Sequence, residues 1–302
     1  MSALRSLLSG AMLSGTPLLY ATLSELISER AGIVNLGLEG VMLVGAVVGF
    51  IATVQTGSVT VGVAAAGLAG GVFNLLFAFL VVRRRANQLA TGLALMFAGV
   101  GLSALLGARF IGSRIEGLTE LRIPVLVDLP VVGALFAQDL LAYAAGPLAV
   151  AAWWVLFRTR WGLALRAVGE NPAAAFAAGW DPYAVQYRAL FVAGMLGGLA
   201  GAHLSLGVAR TWAEWMTAGR GFIAVALVVF SKWHPLRAVA GAVLFGGAIS
   251  LQLQMQARGV PLSPFLLDML PYLLSLAVLA GWGGAHRHAA PGSLGRVFQG
   301  KQ

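Results

Sequence analysis

The candidates for chemistry in this sequence are polar side chains that interrupt long apolar segments. Asn35 and Glu39 are four residues apart, which places both on one face of a predicted helix. Amide and ionisable groups are costly inside a membrane and usually serve function there, so the pair is a candidate for binding a polar solute. The alternative, which the sequence favours, is a buried network that fixes the helix. Five other side chains share this ambiguity, with packing favoured for the last two: Asn74, Gln88, Thr91, His203 and Phe222.

Patterns of catalysis and metal binding are missing from the sequence. The chain has no cysteine, which excludes disulfides, thiolate metal ligands and thiol nucleophiles. Its four histidines are scattered, and neither H-E-x-x-H nor G-x-S-x-G occurs. Residues 295–301 imitate a phosphate-binding P-loop, but Gln302 follows where Ser or Thr should hold magnesium. We therefore predict no catalytic residue, metal or cofactor on this chain, and we interpret that segment as a disordered basic tail.

The elements that carry these side chains are predicted to be membrane-spanning helices. Hydrophobic residues make up 59% of the 302 residues and charged residues only 10%, whereas soluble domains average about 25% charged residues. A spanning helix needs about 20 apolar residues. The sequence predicts an all-α polytopic membrane protein with about nine spans (eight to ten), the seventh starting irregularly or carrying Arg220 near its outer end. These spans are 10–27, 32–55, 58–82, 86–107, 140–157, 189–208, 213–231, 238–256 and 266–282.

The distribution of basic residues predicts the orientation of the spans. Loops on the cytoplasmic side of membranes are enriched in Lys and Arg. Placing the C-terminus in the cytoplasm and the N-terminus outside puts 13 of the 20 basic residues on the cytoplasmic side, in 28–31, 83–85, 158–188, 232–237 and 283–302. The net charge of +9 therefore reflects topology. A nucleic-acid partner is not expected, because it would need a continuous basic face.

The long loop 158–188 contains a complete short helix. Asn171 is its predicted N-cap, Pro172 its first residue, and Gly179 its left-handed stop. Two isolated turns are marginal in water, so a capped helix outside the membrane suggests a docking partner. Phe176 is its large apolar side chain, surrounded by alanines such as Ala174. A plain connector between spans is about equally consistent with this segment taken by itself.

The same loop carries a family resemblance. The sequence LALRAVGENPAAAFAAG at 163–179 resembles the cytoplasmic coupling loop of ABC-importer permeases of the ribose/branched-chain amino-acid superfamily. The sequence ELISERAGIVNLGLEG at 25–40 is similar to the nucleoside-type branch, which is linked to basic membrane lipoproteins. Further matching stretches lie at 194–201, 221–226 and 230–235, so the resemblance covers residues 15–282.

The resemblance implies the inverted-repeat fold of a type II ABC-importer permease, in one transmembrane domain of residues 1–302. The first half-repeat would be 10–107 and the second 189–282, joined by the connecting span 140–157 and the coupling loop 158–188, with a cytoplasmic tail at 283–302. An ATPase-coupling role is implied for Arg166, Gly169, Glu170, Asn171, Pro172, Ala174, Phe176 and Gly179.

The implied partners complete an importer in the bacterial inner membrane. They are a second permease subunit, which would make a heterodimer, cytoplasmic ATPase subunits that bind ATP and magnesium, and an extracytoplasmic binding lipoprotein. The expected function is nucleoside translocation, with a simple sugar or another small solute as the alternative. A secondary transporter or channel is a more distant alternative, because ion coupling usually places carboxylates in mid-span. An intramembrane enzyme is disfavoured, because no nucleophile–base pair can be assembled.

Overall fold

The computed structural model describes residues 2–129, 132–260, 263, 266–267, 269–282 and 290–296, which are mainly helical. One two-stranded antiparallel sheet joins β1 (Leu121–Arg122) to β2 (Ala137–Gln138). The helices are α1 (Ser2–Arg30), α2 (Leu38–Thr56), α3 (Val59–Ala78), α4 (Gln88–Gly107), α5 (Leu140–Arg158), α6 (Arg160–Glu170), α7 (Pro172–Ala177), α8 (Pro182–Ala202), α9 (Arg220–Phe230), α10 (Pro235–Ala257) and α11 (Leu270–Trp282).

Six helices of the described residues are long and apolar enough to cross a bilayer. They are α2, α3 with the π-helical turn Phe79–Arg83, α4 with its final turn, α5, α8 with the π-helical turn His203–Val208, and α10. The prediction of an all-helical polytopic membrane protein is confirmed. The predicted count of nine spans is not confirmed by these six.

Short polar side chains fix where several helices begin. Each of them accepts a hydrogen bond from a backbone N–H in the first turn, which would otherwise have no partner inside the helix. The capping residues are Ser58 of α3, Asn87 of α4, Asp139 of α5, Thr159 of α6, Asn171 of α7 and Asp181 of α8. The starts of these helices are therefore determined locally.

The second predicted span begins later than expected. It was predicted over 32–55, but α2 starts at Leu38, and the chain from Gly32 to Gly37 is irregular. Gly32 has a positive φ of 85°, and the backbone N–H of Asn35 donates to Glu25 Oε1 at 2.8 Å instead of to a helical carbonyl. The prediction that Asn35 and Glu39 share one helical face is therefore wrong, because Asn35 precedes the helix.

The seventh predicted span is also interrupted. It was predicted over 213–231, whereas α9 covers only Arg220–Phe230 after an irregular segment that ends at Gly219, with φ of 78°. The predicted irregular start is confirmed. Eleven helical residues extend about 16 Å, roughly half of a hydrocarbon core. α9 alone is therefore too short to cross the core, and its N-terminus lies inside the bundle.

Glycines allow the central helices to approach each other closely. α8 packs on α3, and α1 packs in the corresponding way on α10. A Cβ atom added at Gly198 would lie 2.2 Å from the carbonyl oxygen of Ala66, and one at Gly246 would lie 2.4 Å from that of Ala11. Backbones this close leave no room for a side chain, so glycine sets both crossings.

Basic residues gather at one end of the bundle, which we call the basic end. There the Arg30 guanidinium donates to the carbonyl oxygen of Trp233 at 2.8 and 3.1 Å. Arg30 and Arg166 also lie over the ring of Phe157, at 5.6 and 5.0 Å from its centroid. The opposite end, which we call the loop end, carries β1, β2 and the segments around them.

Of the stretch 295–301, predicted to be a disordered basic tail, the structure describes only Gly295 and Arg296, at the end of residues 290–296. Residues 290–296 form turns against the end of α6, and Pro291 and Ser293 are buried there. Residues 283–289 and 297–302 lie outside the described residues, and so does most of the P-loop-like stretch 295–301.

Candidate translocation and coupling sites

Glu39 joins the two interrupted helices. Its carboxylate is fully buried in the first turn of α2. Oε1 accepts the backbone N–H of Gly219 at 2.7 Å and the hydroxyl of Thr217, and Oε2 accepts the N–H of Gly221 at 2.6 Å. Since these N–H groups form the start of α9, Glu39 caps that helix from a distant part of the chain, and the helix dipole favours its negative charge.

Asn35 and Asn74 form a second buried network, in the segment that leads into α2. Asn35 Nδ2 donates to Asn74 Oδ1 at 2.8 Å, and Asn74 Nδ2 donates to the carbonyl oxygen of Leu190 at 2.6 Å. Asn35 Oδ1 accepts the N–H of Gly37 at 2.9 Å, which stabilises the turn before the helix. The structure thus brings two predicted site residues together and links α3 to α8 through them.

Gln88 and Thr91 lie on the first turn of α4, beside the same irregular segment. Both are buried. Gln88 Oε1 accepts the backbone N–H of Val34 at 2.9 Å. A Cβ atom at Gly92 would lie only 2.9 Å from the backbone nitrogen of Leu36, so α4 packs directly on the segment. Gln88 therefore binds the segment that leads into α2, as Asn74 does through Asn35.

His203 lies apart from this group. Its Nε2 is 2.9 Å from Asp139 Oδ2, and both side chains are buried. Burial raises the pKa of the Asp139 carboxyl, but the hydrogen bond and charge of His203 and the N–H groups of Ala142 and Leu141 lower it more. The pKa of the Asp139 carboxyl is therefore lower than its ordinary value. Across the described part of the chain, no three acidic, histidine or cysteine side chains gather as metal ligands.

Phe222 is the predicted path residue that retains exposure. Its side chain is 37% exposed, and it follows Gly221, whose N–H is bound by Glu39. An aromatic ring with a free surface beside a capped helix start can pack on an apolar or planar group. The other predicted path residues are enclosed by the protein.

The coupling loop folds as two short helices at the basic end. The prediction for the second one is confirmed: the Asn171 side chain accepts the N–H of Ala174 at 3.0 Å, Pro172 is the first helical residue, and Gly179 has φ of 90°. Ala175 is buried against the rest of the chain, while Phe176 is 49% exposed. α7 thus carries one large apolar side chain among small ones on its exposed surface.

Other predicted coupling residues attach α6 to the bundle. A Cβ atom at Gly169 would lie 2.1 Å from the carbonyl oxygen of Arg30, so the end of α6 touches the end of α1. The guanidinium of Arg166 lies over Phe157, as described above, and Glu170 accepts the N–H of Gly292 at 3.0 Å. The end of α6 is therefore in direct contact with the end of α1.

Comparisons with known proteins match this architecture to a family. The model of the permease components of branched-chain amino acid transport systems matches residues 7–279. The chain belongs to this family. It is 39% identical to a putative glucose ABC transporter permease of Haloferax volcanii, over 93% of this chain and 92% of the relative. It is 33% identical to a nucleoside ABC transporter permease of Lactococcus lactis (92% of each) and 34% identical to a guanosine ABC transporter permease of Bacillus subtilis (89% of each).

Membership of the family confirms several predictions. This permease is a transport component and not an enzyme, and it is the membrane-embedded part of an ABC importer. The resemblance to the nucleoside-type branch is likewise confirmed, since two such permeases align along most of its length.

Several important residues of the permease were not identified from sequence. The donors to Glu39, namely Thr217, Gly219 and Gly221, come about 180 residues later, and only Gly221 lay in a stretch that resembled the family. Asp139 is likewise absent from the predicted sites. The one available signal was its position before an apolar run, which is typical of an N-cap. Ser293 carried no signal.

Proposed function

We propose that this permease translocates nucleosides in an ATP-driven importer. The observation that carries the proposal is the meeting of two helices that each start after an irregular segment inside the bundle, where Glu39 of α2 caps α9. Transporters typically bind solutes at discontinuous helices of this kind. Similarity to a nucleoside permease and a guanosine permease supports the substrate class. Glucose is the second candidate, since a putative glucose permease is 39% identical.

The predicted path residues divide into two roles in this proposal. Phe222, which is partly exposed, contacts the solute and stacks on a nucleoside base. The buried group positions the helices around it: Asn35, Glu39, Asn74, Gln88, Thr91 and His203. This division is supported by the hydrogen bonds that engage the side chains of Asn35, Glu39 and Asn74 inside the chain. A flat aromatic surface favours a base over a sugar alone.

The orientation is proposed from the positive-inside rule. The basic end faces the cytoplasm, and the loop end faces outward. Residues 10–107 and 189–282 then form two inverted halves, with 140–157 between them. The reciprocal packing of α1 on α10 and of α8 on α3 supports this arrangement. We place the permease in a bacterial inner membrane, with its N-terminus outside and its C-terminus in the cytoplasm.

The partners follow from this orientation. A second permease subunit pairs with the chain, and an extracytoplasmic lipoprotein delivers the solute to the loop end. Two ATPase subunits, which bind ATP and magnesium, dock on α6 and α7. The half-exposed Phe176 among alanines supports insertion into a groove of an ATPase, where burial of such a side chain contributes about 1.5–3 kcal/mol.

Transport by the reconstituted complex tests the substrate. The proteoliposomes contain both permeases, the ATPases and the loaded binding protein. They should accumulate radiolabelled guanosine only when ATP is present on the side of the membrane that carries the ATPases. Glucose should not compete. Phe222→Leu should raise KM for guanosine with little effect on assembly. ATP-driven glucose accumulation without guanosine transport would instead assign the sugar.

ATPase docking has a separate test. Ala174→Arg adds a long charged side chain to the exposed surface of α7, so the permease should still insert but lose ATPase co-purification. The matched control is Ala213→Arg, an exposed alanine of the loop end, which should retain the ATPase. Full ATPase binding by Ala174→Arg would show that α7 is only a connector.

A further inference from the structure

The break between α6 and α7 leaves backbone acceptors without helical donors. In a continuous helix, the carbonyl oxygen of Val168 would accept the N–H of residue 172, but that residue is proline and has no N–H. The carbonyl oxygen of Gly169 also loses its partner, because the chain turns at Asn171 to start α7. Buried carbonyl groups of this kind need donors from elsewhere.

The C-terminal segment 290–296, which we call the strap, supplies these donors. The Ser293 N–H donates to the carbonyl oxygen of Gly169 at 2.9 Å. The Ser293 hydroxyl lies 2.6 Å from the same oxygen and 3.4 Å from that of Val168. The N–H of Gly292 donates to Glu170 Oε2 at 3.0 Å. Ser293 is buried, so these contacts are shielded from water.

The strap also contacts the segment that leads into α2. Gln88 donates from Nε2 to the carbonyl oxygen of Arg296 at 3.2 Å, while its Oε1 accepts the N–H of Val34 at 2.9 Å. A Cβ atom at Gly32 would lie 2.3 Å from the Ser293 hydroxyl, so the strap passes directly over this turn. One short piece of chain therefore contacts both the end of α6 and the turn at Gly32 that precedes α2.

We propose that Ser293 is a positioning residue for energy coupling, because the strap ties the ATPase-docking helices to the segment that carries Asn35 and leads to Glu39. This proposal rests on the proposed function of α6 and α7. Displacement of α6 by the ATPase would pull on residues 32–37 through Ser293 and Gln88, as well as on α1 through Gly169. Loss of the strap should leave docking intact and reduce the solute moved per ATP hydrolysed.

The test compares truncations in the reconstituted complex. Truncation after residue 289 removes the strap, and truncation after residue 296 keeps it and serves as the matched control. Ser293→Ala removes only the hydroxyl. We expect the strapless complex to retain ATPase co-purification and basal hydrolysis, with uptake per ATP lower by about two- to tenfold, the range of one or more lost hydrogen bonds. Ser293→Ala should show a smaller fall, and the control should match the wild type.

The position of the strap can be tested separately, because the chain has no cysteine of its own. The double variant Glu170→Cys, Gly292→Cys should form an oxidant-dependent disulfide in membranes, and Glu120→Cys with Gly292→Cys should not. Failure of the first pair to cross-link would overturn the proposal.

Three transport outcomes would also overturn it. The first is uptake per ATP at the wild-type level in the complex that lacks the strap, and the second is loss of the ATPase on truncation. The third applies if the truncated chain fails to assemble, and it is uptake per ATP by the Ser293→Ala complex equal to that of the wild type. The Ala174→Arg variant keeps the two proposals distinct. If it releases the ATPase while the strapless chain transports normally, docking on α7 stands and only the role of Ser293 fails.

Discussion

The carboxylate of Glu39, in the first turn of α2, accepts the backbone N–H of Gly221, in the first turn of α9, at 2.6 Å. The two residues are 182 positions apart in the chain. Both helices begin inside the bundle after an irregular segment, and this contact fixes one helix start against the other. The contact joins two distant parts of the permease at the helix starts to which the proposed function assigns solute binding.

Replacing Glu39 tests the strength of this contact. Glu39→Gln removes the charge and leaves one acceptor oxygen for three donors, so the free energy of unfolding should fall by about 1.5–3 kcal/mol, the range for hydrogen bonds to charged groups. Reversible unfolding in mixed micelles would measure the change. The control is Glu120→Gln, an exposed carboxylate 3.5 Å from Arg122, which should have little effect. Unchanged stability with an altered KM would assign Glu39 to solute contact.

The close crossing of α3 and α8 predicts a severe effect of adding one methyl group. Gly198→Ala places a Cβ atom 2.2 Å from the carbonyl oxygen of Ala66, so the backbones must separate. We expect most of the monodisperse protein in detergent to be lost relative to the wild type. Fluorescence-detected size-exclusion chromatography would measure this loss. Gly101→Ala is the control, because nothing lies within 4 Å of a Cβ atom there. Equal yields of the two variants would contradict the packing.

The Asp139–His203 pair predicts an acid dependence of stability. The pKa of Asp139 is lower in the folded state than usual, so its contribution is present above the ordinary value and is lost as pH falls through the lowered one. The pair should therefore stabilise the protein at neutral pH, with the loss confined to pH below about 4.

Asp139→Asn isolates this contribution, because Asn retains the cap of α5 but not the charge. Its melting temperature should be lower than that of the wild type at pH 7, and the difference should shrink in acid. A difference that is constant with pH would show that the charge of Asp139 does not contribute.

Single cysteines test the orientation, since the chain contains none. Glu120→Cys at the loop end should react with a membrane-impermeant maleimide added to intact cells. Arg84→Cys at the basic end should react only after the membrane is permeabilised. Both positions are exposed, so burial of the cysteine cannot explain a failure to react with the maleimide. The opposite labelling pattern would invert the topology and place α7 on the wrong side for an ATPase.

Local features were the ones that the sequence determined. Apolar composition predicted the helical membrane protein, because a helix satisfies the backbone hydrogen bonds of a long charge-free run within lipid. The caps of α7 were also predictable, because Asn171, Pro172 and Gly179 act through neighbouring backbone groups. The turn between α2 and α3 is local for the same reason, because Gly57 and Ser58 also act through neighbouring backbone groups.

The tertiary structure decided the features that depend on distant partners. The helical pattern of residues 32–55 is interrupted because Glu25 and Asn74 bind Asn35 where a helix would otherwise continue. The order of residues 290–296 follows from two carbonyl groups left at the end of α6. None of these hydrogen bonds follows a helical or strand spacing, so no periodicity in the sequence marks them, and only the folded backbone specifies which donor meets which acceptor.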